Sequence, residues 1–485
     1  MNVIDLGIIA LYIIGCTSLG AWLGAGEKGL KGYFLGESNI PAWALMISIV
    51  ATETSAVTFL SVPGVAYRGD FTYLQLAIGY LFGRVIVATV LLPAYFRGQI
   101  FTAYTLLQSR FGGSTRTLAS VLFLVTRSLA DGLRLFLAAK VLQHMTGWPI
   151  GAAIVSVGTV TIVYTYLGGM KAVIWIDVIQ FTIYILGAIV ALLILTSKLP
   201  GGWSTLIETG RQANKFRMFD FSFDLTKAYT FWAGLFGGMV LNTATHGVDQ
   251  LMVQRYLSAR SRRQAALALI ASGFVVFAQF ALFLLIGVGL FVFYKHFPPS
   301  GPELAPDEVF ANFIVKVLPV GIVGLVIAAV FSAAMGTLSS SLNSAASAVI
   351  NDLYRPFSGD TDEVRLLRIS KVMTAVWGGI LMGVAFQATR LQDSVVNNAL
   401  AIASFVTGII LGLFLLGIFT RRVGQKAALV GMVAGISAVS YVKFFTPIAW
   451  PWFALIGSST VFAVGCLASL FASSKPLDKS LSGEA

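Results

Sequence analysis

Residues 50–59 read Val50-Ala51-Thr52-Glu53-Thr54-Ser55-Ala56-Val57-Thr58-Phe59, and Pro63-Gly64 follow shortly after. This polar stretch lies inside an apolar block that runs from 41 to 66. A helix in hydrocarbon must satisfy its own backbone groups, so irregular backbone at that depth is tolerated only where it is buried or lines a cavity. An acid at the centre of such a block is costly and marks function by default. The stretch therefore predicts a membrane span broken near its middle, with Glu53 at the break.

The rest of the chain agrees with a membrane setting. Of 485 residues, 57% are hydrophobic and 11% charged, against about 25% charged in a soluble domain. That balance excludes a soluble enzyme, a disordered chain and a fibrous repeat. A bilayer-spanning helix needs about 20 apolar residues. Thirteen blocks qualify, near 5–24, 41–66, 74–96, 117–144, 149–167, 173–197, 229–254, 266–294, 310–349, 369–386, 394–419, 426–443 and 450–472. The block at 5–24 carries Asp5, lacks a basic start and shows no small-residue cleavage site, so it is expected to remain as a helix rather than act as a signal peptide.

The net charge of +12 would suit nucleic acid only if it formed one basic face. Here the basic residues are spread over short loops, so no nucleic-acid partner is expected. Alternate loops hold nineteen and nine Lys and Arg, and five of the nine fall in one long loop, 198–228. Positive charge gathers on the cytoplasmic side, which places the N-terminus outside and the tail 473–485 inside a cell membrane. Cys16 and Cys466 both lie in apolar blocks, so no disulfide framework is expected, and three histidines with two cysteines make a structural zinc site improbable. No Gly-rich loop precedes a Lys-Ser/Thr pair, so an ATP site is not expected.

Two further blocks look irregular. Phe331 to Ser344 is crowded with hydroxyls and small residues, and Gly237-Gly238 with Asn242 to Gln250 is Gly-interrupted and polar. A pair of interrupted segments in matching positions of two halves is the best sequence pointer to a transporter site. The blocks at 41–66 and 229–254 are five spans apart, as two inverted five-helix repeats require. Charges inside the blocks include Glu53, Arg84, Arg127, Asp131, Arg134, Lys140, Asp177, His246 and Asp249. Arg127, Asp131 and Arg134 share a helix face, and a structural ion cluster there competes with solute contact. Lys140 is expected to snorkel. His246 reads either as a packing histidine or as a solute contact, and Asp249 is expected to pair with Arg255. A hard cation such as sodium wants oxygen, which broken helices supply as freed carbonyls and hydroxyls. Carbonyls of Ala51 and Thr54 are placed to meet Thr337. Helix packing by small residues explains Ser332 and Ser347 as well, and composition alone leaves Thr337 to Ser341 open between packing and a cation site.

Gly168-Gly169-Met170, Trp175, Asp177 and Gln180 resemble the signature of the sodium/solute symporter family. Ala51 to Phe59, Gln254-Arg255, Ser341-Leu342-Asn343-Ser344 and Asp352-Leu353-Tyr354 resemble that family too, and the similarity covers about 5 to 445. The resemblance implies an all-α LeuT-type transporter. Its parts would be an extra helix 5–24, repeat one at 41–197, repeat two at 229–419 and C-terminal helices at 426–472. It implies sodium-driven uptake of a small organic solute by alternating access, with sodium as cargo, no organic cofactor and no enzymatic activity. The family's sodium site falls on Ala51, Thr54, Ala333, Gly336 and Thr337. Gly336 departs from the pattern, because glycine has no side-chain oxygen. A second sodium site found in some members falls on Asp177, Ser339 and Ser340, with an ion pair to a nearby base as the alternative for Asp177. The family's solute cavity falls on Glu53, Ser55, Thr58, Tyr73, Ala77, Tyr80, Asn242, Thr245 and His246, with Arg84 and Arg134 in reach.

Glu53 then either contacts solute, carries a proton or forms a structural pair with Arg84 or Arg134. A proton-driven carrier using Glu53 and Asp177 is the main competing expectation, since Gly336 weakens the sodium site. A transporter-like sensor would need a signalling domain, and an intramembrane enzyme would need a nucleophile and base. Both are expected to fail.

Overall fold

The computed structural model describes residues 2–24, 29–97, 100–298, 304–390 and 395–471. The loop cations Lys28, Lys475 and Lys479, and the expected tail 473–485, lie outside these residues. The described residues are helical apart from loops and one isolated bridge between Ile40 and Ala259. Among the described residues eight helices are long and apolar enough to cross a bilayer, and a bent pair makes a ninth. We number the main helices α1 (Val3–Gly24), α2 (Ala42–Glu53), α3 (Ala56–Arg68), α4 (Leu74–Ile86), α5 (Gly113–Thr146), α6 (Ile150–Lys198), α7 (Met239–Gly247), α8 (Gln250–Leu257), α9 (Arg262–His296), α10 (Ile322–Ala348), α11 (Glu363–Ala388), α12 (Val395–Phe419), α13 (Gln425–Phe445) and α14 (Phe453–Phe471).

The expected break in the 41–66 block is present. α2 ends at Glu53, Thr54 and Ser55 are extended, and Ser55 caps α3 by accepting from the Thr58 amide. The two halves meet at 62°. The 229–254 block is also interrupted. It passes through a wide-turn segment at Ala233–Gly238 and stops between α7 and α8, where Asp249 caps α8 through the Leu251 amide.

The irregularity expected at Phe331–Ser344 is absent. α10 is a continuous helix there and every residue from Phe331 to Ser344 is buried. Its hydroxyls bond backward to carbonyls one turn earlier: Ser332 to Ala328, Ser340 to Gly336 and Ser344 to Ser341. That local bonding lets a polar stretch stay helical in an apolar interior. The expected block at 310–349 is in fact two helices, Pro306–Val317 and α10, separated at 318–321.

α6 is 49 residues long, or about 74 Å if straight at 1.5 Å per residue, far beyond a bilayer's thickness. It breaks at Gly169, whose φ of 57° and ψ of −165° suit glycine. The first half packs Gly151 against Phe386 and Gly158 against Met382; the second packs Gly187 against Val326 and Ala329. α1 runs from Asp5, bonded to the start of α10 at Gly321 and Gly324, to Gly24, which abuts Leu167 and Gly168. These contacts make α6 double back at Gly169, as the separate blocks at 149–167 and 173–197 anticipated.

Close backbone approach positions the centre. A Cβ on Gly79 would stand 1.9 Å from the Gly234 carbonyl, so α4 and the segment leading into α7 touch backbone to backbone, as small residues allow in membranes. That contact brings Tyr80 and Arg84 beside Asn242, Thr245 and His246.

Candidate functional site

The break between α2 and α3 faces a cavity of about 140 Å³. Glu53, Ser55, Thr58, Tyr73, Tyr80, Arg134, Asn242, Thr245 and His246 line it. Two residues expected there are elsewhere. Ala77 is buried in packing, and Arg84 lies fully buried behind the cavity wall, bonded to Glu53 and to the Ser272 hydroxyl. Glu53 keeps 18% of its side chain exposed toward the cavity. Its carboxylate also faces His246 Nε2 at 3.5 Å, and His246 Nδ1 lies 3.0 Å from the Tyr256 hydroxyl. The histidine therefore bridges the carboxylate to α8.

The helix-face cluster forms as its spacing predicts. Arg127 and Arg134 both bond Asp131, at 2.9 and 2.7 Å. Asp249 was expected to pair with Arg255, but it bonds Arg127 at 3.2 Å. The reason is the break after α7, which turns Asp249 toward α5 while α8 carries Arg255 inward. Arg127, Asp249, Tyr229 and Phe280 also line the cavity. The intramembrane charge of Arg127 and Asp249 was the signal that could have placed them there; nothing in the sequence marked Tyr229 or Phe280.

At the break, Thr337 brings carbonyls together. Its hydroxyl lies 3.0 Å from the Thr52 carbonyl, 3.4 Å from that of Ala333 and 3.5 Å from that of Thr54. Thr52 takes the place expected of Ala51 in this contact. The Ala51 carbonyl instead points at Gly336, 3.6 Å from where a Cβ would stand. Of the five residues expected at a sodium site, Thr54, Ala333 and Thr337 meet at this hydroxyl and Ala51 faces the adjacent Gly336, and the oxygens they present are carbonyls and one hydroxyl, which suit a hard cation.

The second expected set is held together by an arginine. Arg255 is fully buried and donates to Asp177 Oδ2 at 3.1 Å, to Ser48 at 3.0 Å, to the Leu251 carbonyl at 2.9 Å and to Ser340. Ser48 donates to the same carboxylate oxygen at 2.6 Å. Ser339 and Ser340 both donate to the Gly336 carbonyl, at 3.1 and 2.7 Å. The guanidinium therefore bridges Asp177 and Ser340, two of the three proposed ligands.

A broken span, an interrupted partner and an oxygen cluster at the break beside a polar cavity define a membrane carrier that moves a solute with a cation. Comparison with known proteins makes the class definite. Residues 33–435 match the sodium:solute symporter family, and the chain belongs to that family. It is 29% identical to the sodium/sialic acid symporter SiaT of Proteus mirabilis, over 98% of this chain and 96% of that protein. It is 32% identical to the human sodium-coupled monocarboxylate transporter 1, over 90% of this chain and 73% of that one. It is 30% identical to the human sodium/iodide cotransporter, over 90% and 69%. The solved substrate-bound, outward-open structure of a sodium-coupled sialic acid symporter superposes with a TM-score of 0.90 at 29% identity, covering 98% of this chain and all of that one. Mhp1, a nucleobase-cation symporter, superposes at 0.60 with 13% identity over 90% of this chain and 93% of its own, and shares the fold alone. The sialic acid, monocarboxylate and iodide relatives are named as carriers that couple a small solute to sodium.

Proposed function

We propose that this protein is a cell-membrane symporter that uses sodium entry to drive uptake of a small organic acid by alternating access. The observation that carries this reading is the Thr337 hydroxyl set among three carbonyls at the α2–α3 break, directly beside the cavity. An ion at the break and a solute in the cavity would both bear on the same backbone, which is the physical basis for coupling their movements. Arg127 and Arg134 at the cavity wall favour an anionic solute. Three relatives are named for sialic acid, monocarboxylate and iodide, all anions at neutral pH.

In this reading Glu53 and His246 bind solute through the carboxylate and ring, Ser55, Thr58 and Asn242 offer hydroxyl and amide contacts, and Tyr73 and Tyr80 supply flat walls. Thirteen spans in two inverted repeats, 41–197 and 229–419, with an extra helix 5–24 and C-terminal helices to 472, are the arrangement proposed. The positive-inside count supports an outside N-terminus. Proton coupling would need Glu53 or Asp177 to titrate during the cycle, and each is clasped by an arginine.

The test is uptake into proteoliposomes as a function of external sodium, comparing wild type with Thr337→Ala. Losing one ligand hydroxyl removes an interaction of about 1 kcal/mol, so the sodium concentration for half-maximal uptake should rise about fivefold. Unchanged sodium activation in the variant would remove Thr337 from the coupling site.

A further inference from the structure

Charge around the cavity is already balanced. Arg84 holds Glu53, Arg127 and Arg134 share Asp131, and Arg127 also meets Asp249, so three guanidinium groups face three carboxylates. A neutral imidazole is enough for both His246 contacts, with Nδ1 accepting from the Tyr256 hydroxyl and the Nε2 proton facing Glu53. The ring then adds no charge. A solute with only a negative charge would leave that charge uncompensated away from water, which is costly. A solute that is neutral overall avoids the cost.

The wall also shows which groups such a solute would need. Every side-chain contact that Glu53 makes among the described residues falls on Oε2, which takes Arg84 and His246. Oε1 is left free on a side chain that opens to the cavity. Asn242 is buried and lines the same cavity, and its Oδ1 has no hydrogen-bond partner among the described residues. It stands one turn before His246 on α7, so it shares a face with the ring that reaches Glu53. A charged acceptor and a neutral one, both unfilled, call for a group with more than one proton to donate. A hydroxyl donates once, whereas an ammonium donates two or three times and also carries the charge that Glu53 attracts. On α5, Arg127 commits Nε to Asp131 and Nη1 to Asp249, but Arg134 commits only Nη1, to Asp131. Arg134 therefore keeps donors for a carboxylate. Val62, Val65, Leu241, Met252 and Phe280 complete the lining with apolar surface.

We propose that the solute is a zwitterion, an amino acid with an apolar side chain, whose ammonium is bound by Glu53 Oε1 and Asn242 Oδ1 and whose carboxylate is bound by Arg134. This rests on the sodium-coupled uptake of an organic acid proposed above and names the class of acid. Glu53 and Asn242 then select an amine over a hydroxyl or a bare carbon at the same place in the solute.

The experiment melts the purified full chain in sodium with three matched sets of compounds: apolar amino acids, the hydroxy acids on the same carbon skeletons, and the plain monocarboxylates on those skeletons. A compound that binds only the folded state raises its stability with concentration. At least one amino acid should give a saturable rise, with half-saturation about tenfold or more below that of its hydroxy and plain counterparts. Asn242→Ala breaks no side-chain hydrogen bond to Oδ1 and should fold, yet its amino acid binding should weaken about fivefold or more. Glu53→Gln should lose the preference for amine over hydroxyl. That preference is a ratio between two compounds on one protein, so it is readable even where the variant melts lower. If a hydroxy or plain acid stabilises wild type as well as the amino acid does, or if no amino acid does so, the proposal is overturned. If Asn242→Ala keeps the full preference for the amine, it is overturned too. If an amino acid stabilises equally in sodium and in potassium, the sodium-coupled reading fails while the zwitterion stands.

Discussion

Two buried carboxylate–guanidinium pairs flank the end of α2. Glu53 meets Arg84 on the cavity side, and Asp177 meets Arg255 on the side of α10. Their chemistry is the same and their settings differ. Glu53 keeps 18% of its side chain open to the cavity, whereas Asp177 keeps 1%. Arg255 spends its donors on α2, α6, α8 and α10 at once, through Ser48, Asp177, the Leu251 carbonyl and Ser340. Arg84, on α4, joins α2 and α9 through Glu53 and Ser272, three helices in all among the described residues. The same ion pair thus ties four helices together in one place and leaves one partner facing open space in the other, where we propose that it recognises solute. Burial of the acid, more than its identity, separates the two roles.

The comparison is broken most severely at Asp177. Removing one partner of a buried pair leaves an uncompensated charge and typically costs about 3–5 kcal/mol. Asp177→Ala should therefore strip the protein of most of its stability in any salt, seen as a loss of folded material on size-exclusion chromatography and a large fall in melting temperature. Asp177→Ala that melts as wild type does would remove the joint role. Next in size is Glu53→Gln. The amide still accepts from Arg84 but leaves that buried guanidinium without its counter-charge, so melting should fall, by less than at Asp177 because Glu53 is partly solvated. Uptake should drop about tenfold or more, as expected where a charge-assisted contact to solute is lost. A variant with normal uptake and reduced stability would make Glu53 a second joint and erase the contrast.

The smallest effect sharpens the comparison by supplying a third carboxylate with no guanidinium at all. Asp5 Oδ1 accepts from the amides of Gly321 and Gly324, each at 2.8 Å, at the start of α10. Asp5→Asn keeps an acceptor and loses the charge that favours a helix N-terminus, a change of about 1 kcal/mol or less. Melting should shift by a few degrees at most and sodium half-saturation should not move. A change in sodium response would mean that this end of α10 is coupled to Thr337.

Much of this was legible in the sequence because it rests on local pattern. The break at Thr54–Ser55 shows as a polar run inside an apolar block, and the turn at Gly169 shows as paired glycines between two such blocks. The cavity residues came from the family resemblance, which misplaced Ala77 and Arg84 and marked neither Tyr229 nor Phe280. What was not legible depends on partners far apart in the chain. Composition could not say whether the hydroxyls of Ser332 to Ser344 break α10 or bond their own helix, and they do the latter. Nothing local told Asp249 to choose Arg127 over the nearby Arg255. Nor could spacing show Gln180 lying against Gly336, 156 positions later in the sequence.

The Asp5 contact also has a kinematic meaning. With its carboxylate clamped across the first turn of α10 and its other end wedged at Gly24 against Leu167 and Gly168, α1 is pinned at both tips to the bodies it lies beside. It spans as a strut from the start of α10 to the turn in α6. A fluorophore placed on the exposed side of α1, at Leu11 for instance, would then report any change in the spacing of these two points without replacing a residue proposed to meet ion or solute.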